Sequence, residues 1–154
     1  GWMLRFVDRA TVQPSKELSV MWTGVVQMDN RNGSALGSSG NLWLSAGARP
    51  VYMFGKYTGL AVEGGVDIVK REKDPLSMDT SAFVQNGDTG FLGKLTVAPL
   101  IRPAADFWAR PELRAFVTAA FWNDTLKGHV GEASSVYGDD TFGLTAGVQM
   151  ESWW

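Results

Sequence analysis

The sequence predicts an all-β protein, an antiparallel transmembrane β-barrel, and three observations carry that prediction. Side chains alternate between apolar and polar with period two, the alternating segments mostly run to about ten residues or more, and the connections between them alternate in length. A strand sends successive side chains to opposite faces. About 9–11 residues suffice for a tilted strand to cross a bilayer, whereas strands of soluble sheets centre on roughly 5–6.

Seven segments carry the pattern: 2–12, 17–29, 41–54, 60–70, 91–100, 111–122 and 141–154. In the second, Leu18, Val20, Trp22, Val26 and Met28 oppose Ser19, Thr23, Gln27 and Asp29. In the third, Leu42, Leu44, Ala46, Ala48, Tyr52 and Phe54 oppose Ser45, Gly47 and Arg49. In the sixth, Leu113, Ala115, Val117, Ala119 and Phe121 oppose Glu112, Arg114 and Thr118. The last segment is the clearest. Phe142, Leu144, Ala146, Val148, Met150 and Trp154 share one parity, broken only by Ser152, and Gly143, Thr145, Gly147, Gln149, Glu151 and Trp153 share the other.

The connections 13–16, 55–59 and 101–110 are the shorter ones, and 30–40, 71–90 and 123–140 the longer, rich in Gly, Ser, Asn and Asp. Outer-membrane barrels pair short periplasmic turns with long external loops. With the C-terminus on the periplasmic side, every long loop falls outside. A soluble β-sandwich can show such alternation by accident. However, its last strand would then be an exposed hydrophobic edge, an aggregation hazard that barrel closure removes.

Composition narrows the function classes. The net charge is −2, so there is no basic footprint for nucleic acid. Cysteine is absent, which removes disulfides, thiol catalysis and thiolate metal sites. No apolar run approaches the roughly 20 residues of a membrane helix. There is no phosphate-binding glycine loop, no H-E-x-x-H and no G-x-S-x-G. The single His129 reads as a solvated loop residue, and Asp139-Asp140 as a solvated turn without a spaced ligand set. No catalytic residue, metal or cofactor is expected. The opening Gly1-Trp2-Met3-Leu4-Arg5 already reads as strand, so the chain is expected to begin inside a longer protein.

The inward parity is the informative one. It places Arg5, Arg49, Glu63, Asp67, Lys94, Glu112, Arg114 and Glu151 on the face away from lipid. Lipid-facing charge costs up to ~2–4 kcal/mol near the midplane, so this placement is constrained. Charges of both signs across a lumen suit a wet channel, or else a polar packed interior if the barrel is narrow. Trp43, Trp108, Phe116, Trp122 and Trp153 are expected inward as well. A pyranose has an apolar face of C–H groups and a rim of hydroxyls. Aromatic rings can stack on the first while Arg, Asp and Glu bond the second.

Four blocks then resemble the maltoporin and sucrose-porin family: Gly1-Trp2-Met3-Leu4-Arg5-Phe6-Val7-Asp8, Ala48-Arg49-Pro50-Val51-Tyr52, Trp108-Ala109-Arg110-Pro111-Glu112-Leu113-Arg114-Ala115-Phe116, and the ending from Thr141-Phe142-Gly143 to Glu151-Ser152-Trp153-Trp154. The resemblance runs the whole chain, with the loops diverging. It implies a barrel of roughly eighteen antiparallel strands, of which residues 1–154 supply the C-terminal part, the last seven. It implies a homotrimer in the lipid of the bacterial outer membrane, passing maltose, maltodextrins or related oligosaccharides by facilitated diffusion. It also implies a file of aromatics along which sugars move. Trp108 and Trp153 fall on that file by the matched blocks. Arg5, Arg49, Glu63, Asp67, Glu112 and Arg114 are candidate lumen residues by parity alone. Two other readings stay open: a porin of general or different specificity passing ions and small solutes, and a β-protein without transport function.

Overall fold

The computed structural model of the 154-residue chain describes residues 1–34, 37–71, 88–131 and 136–153. They form one seven-stranded sheet of β1 (Trp2–Val12), β2 (Leu18–Ser34), β3 (Gly37–Met53), β4 (Thr58–Arg71), β5 (Thr89–Ile101), β6 (Glu112–Trp122) and β7 (Phe142–Glu151). Every neighbour pair is antiparallel and the order is sequential, so the sheet is open, with β1 and β7 as its edges. A short 3-10 turn at Asp124–Leu126 is the one helical element among the described residues.

The register carries the alternation across the sheet. Arg9, Thr23, Gly47, Gly65, Lys94, Ala120 and Gly143 lie in one row and therefore on one face. The row one residue along, Asp8, Gly24, Ala46, Val66, Gly93, Phe121 and Phe142, lies on the other. That second, outer face is apolar and bare: Phe6 is 65% exposed, Val148 73% and Met150 67%. An apolar face of this extent fits lipid, since soluble monomers rarely expose a patch so large. Asp8 is the outer-face carboxylate that departs from the pattern, on the edge strand β1.

The core sits on the inner face, at its two ends, because two connections fold onto it. At the end where β7 finishes, residues 102–111 run across the inner face and bury Phe107 against Val51, Met53, Ala61, Ala98 and Leu100, with Met21, Ala105 and Phe116 beside them. The Gln13 amide donates to the Ala105 carbonyl at 3.3 Å, so this segment reaches the turn between β1 and β2. At the opposite end, Leu126 and Trp122 are buried with Val69, Leu92, Ala120, Val130 and Tyr137 around them.

Two expectations need correction here. Residues 30–40 are not a free loop: the β2–β3 ladder continues through Asn30↔Gly40 and Arg31↔Ser39 to Ser34↔Gly37, with a register shift between Arg31 and Ser34. Beyond the apolar belt neither face of a hairpin meets lipid, so the alternation fades while backbone pairing continues. Residues 101–110 are short in sequence but not a plain turn, since they form the inward segment just described. The outward placing of Trp154, and most of the loop 71–90, lie outside the described residues.

Candidate functional site

The inner face has three zones. At the β7 end, beside the segment 102–111, three guanidinium and two carboxylate side chains come together. Glu112, 4% exposed, lies 3.6 Å from Arg102, 3.9 Å from Arg110 and 3.5 Å from Arg114. Glu151 pairs with Arg110 at 2.7 Å and with Arg114 at 3.0 Å. Burial holds the Arg102 guanidinium below the ordinary arginine range, and the Glu112 carboxylate offsets only part of that. Arg102 also donates to the Phe107 and Ala105 carbonyls, both at 3.5 Å. Cross-strand pairing of Glu112 with Glu151 would repel; three arginines between and around the two carboxylates reverse the sign.

Two tryptophans stand on this base. Trp108 is in the segment 102–111, not in a strand, so strand parity does not set its direction. It faces inward because the segment does. Its backbone N–H donates to the Asp106 carboxylate at 2.8 Å, its ring meets the edge of Phe107 at 5.1 Å, and the Arg9 guanidinium lies 5.6 Å from its centroid. Trp153 follows β7, and the Arg110 guanidinium lies 4.1 Å from its centroid. The two rings remain 49% and 53% exposed. A guanidinium over one face of a tryptophan is attractive and leaves the other face for an apolar partner.

The middle zone is polar and open. Arg49 and Glu63 pair at 3.0 Å across β3 and β4. The Ser45 hydroxyl donates to Asp67, which also accepts from Trp43 Nε1 at 3.3 Å. Thr96 and Thr118 share a hydrogen bond at 2.7 Å. Between them lies a trough of about 250 Å³ bordered by Arg49, Glu63, Lys94, Arg114 and Gln149. The Gln149 amide oxygen accepts from the Arg114 guanidinium at 2.8 Å. Side chains here offer both donors and acceptors, the chemistry a polyhydroxylated solute needs.

At the far end the last connection covers the face. Tyr137 lies over Gly143, where a β-carbon would come within 2.7 Å of the ring. Its hydroxyl bonds the Leu144 carbonyl at 3.1 Å and Thr145 at 2.8 Å. Asn123 pins the start of the connection by accepting from the Phe91 N–H at 3.1 Å and donating to the Thr89 carbonyl at 2.7 Å.

The predicted lumen residues Arg49, Glu63, Asp67, Glu112 and Arg114 all fall on the inner face. Arg5 does too, paired in register with Gln27 on the edge strand. The structure does not bring Arg5 to the ion network. It also separates the inward aromatics into two kinds. Trp122 is 4% exposed beneath Tyr137, and Phe116 packs beside the Phe107 cluster, so both are packing residues. Arg102, Arg110, Phe107 and Tyr137 were missed by sequence reasoning because connections carry no periodicity. Two arginines bracketing a short connection next to Glu112 were the available signal. Among the described residues no cluster of His, Asp and Glu could hold a metal ion.

Compared with known families, the chain matches the family model described as LamB porin over residues 1–154.

Proposed function

Because the chain belongs to the LamB porin family, whose members are channels of the bacterial outer membrane and not enzymes, we propose that it forms one side of a water-filled barrel that gives maltodextrins or related oligosaccharides facilitated diffusion. The intact protein works as a homotrimer in outer-membrane lipid, and the sugar is its transported solute. One observation carries the sugar reading. Trp108 and Trp153 stand at the same end of the inner face, each half exposed and each with a guanidinium over its ring. Rings held in this way suit the apolar faces of successive pyranoses. Arg49, Glu63, Asp67 and Lys94 further up the wall suit their hydroxyls.

Stacking on an aromatic ring is worth ~1–3 kcal/mol for a nucleic-acid base, and a hydrated sugar face belongs toward or below the lower end. Trp108→Ala and Trp153→Ala in the intact porin should each weaken sugar binding by roughly tenfold or less, since 1.4 kcal/mol is one decade. Ion conductance should stay or rise as the ring leaves the lumen. The measurement is sugar titration of single-channel current in a planar bilayer. Unchanged block in both variants would remove the stacking assignment. No block of the native channel by any oligosaccharide would make it a porin for ions and small solutes.

A further inference from the structure

Two tryptophans can serve one sugar chain only if their rings keep a fixed relation, yet they sit on separate pieces of chain. Trp108 is in the segment between β5 and β6, and Trp153 follows the edge strand β7. One side chain touches both pieces. Arg110 Nη1 donates to the Phe107 carbonyl at 3.0 Å and to the Ala109 carbonyl at 2.9 Å, the residues on either side of Trp108. Its Nε and Nη2 donate to one oxygen of Glu151 at 3.1 and 2.7 Å, two residues before Trp153. The centre of the same guanidinium lies 4.1 Å from the Trp153 ring centroid. The side chain is 6% exposed, so it has little room for another arrangement.

We propose that Arg110 is a positioning residue that sets both tryptophans for sugar binding: its two carbonyl contacts hold the backbone around Trp108, and its flat face holds the Trp153 ring. The proposal rests on the sugar-channel reading above and deepens it. A guanidinium is planar and has five N–H donors in a fixed fork, so it can bond in its plane and stack on a ring at the same time. An ammonium of equal charge has three donors on a point and no face. Charge alone therefore does not replace Arg110. Arg9 over Trp108 plays the simpler part, a cation on one ring.

The test is Arg110→Lys in the intact porin, made in the native background and in one carrying Trp108→Ala and Trp153→Ala together. Folding is read first, from the heat-dependent mobility of the trimer in detergent. In the native background, Arg110→Lys should weaken sugar block of single-channel current by roughly two- to tenfold. In the background without the tryptophans it should change block by less than about twofold, because nothing remains to position. A residue that merely braces the barrel would give the same loss in both. Equal losses, or unchanged block in the native background, overturn the proposal. Should Arg110→Lys fail to assemble, Glu151→Gln tests the same contact from its other side. It is expected to weaken block in the same tryptophan-dependent way, and unchanged block would overturn the proposal equally. If the tryptophan variants themselves leave block unchanged, the sugar reading falls and the binding role of Arg110 falls with it. If they weaken block while Arg110→Lys does not, only the positioning role is lost.

Discussion

Burial decides what an inner-face charge does, as Glu112 and Glu63 illustrate. Glu112 is surrounded by Arg102, Arg110 and Arg114, with side-chain exposures of 1%, 6% and 11%. Removing its charge leaves guanidinium groups in a poorly solvated place, and breaking a buried pair costs about 3–5 kcal/mol. Glu112→Gln should therefore lower the temperature at which the barrel loses its folded mobility in detergent, and the refolding yield should fall with it. Glu63 pairs with Arg49 where both side chains are partly open, at 34% and 20%. Exposed pairs contribute about 0–1 kcal/mol, so Glu63→Gln should leave the melting temperature within a few degrees. Equal effects from the two variants would mean that the Glu112 cluster is wetter than its geometry indicates.

Within an element, one residue of sequence separates lumen from lipid. On β5, Lys94 and Thr96 face inward while Leu95, half exposed, faces outward. Leu95→Lys should cost about 2–4 kcal/mol if that position lies near the membrane midplane, and Thr96→Lys far less. Comparing folded fractions in urea for the two variants checks this, and similar losses would mean the faces are misassigned. The alternation made this much legible in the sequence: seven strands, their order, and the sidedness of Arg49, Glu63, Asp67, Glu112 and Arg114. It could not reveal the inward folding of 102–111 and of the connection after β6. Phe107, Leu126 and Tyr137 sit in stretches with no period, and what they pack on is the floor of distant strands beneath. Trp108 came out inward for a reason the alternation does not contain. The overlong hairpin of β2 and β3 was missed for the opposite cause, regular pairing without a patterned face.

At the scale of the whole molecule, the described residues form one sheet with β1 and β7 as its edges. Among the described residues, the backbone groups on the outer sides of β1 and β7 have no strand partner. In a bilayer such edges are not tolerated, so residues 1–154 alone, refolded in lipid, should give no discrete conductance steps. A stable unitary channel from these residues would contradict the open sheet. The segment 102–111 has a consequence for the intact channel that concerns fluctuation and not affinity. It is fastened by Phe107 in the core, by Arg102 and Arg110 on Glu112, and by Gln13 from the far turn. A segment tied at so many points should have no slow mode of its own, and in a channel it should therefore not modulate the current. The power spectrum of the sugar-free current should then be flat at low frequency as far as this mouth is concerned. Cutting the ties with Phe107→Ala should add a low-frequency component, as a static resistor becomes a flickering one.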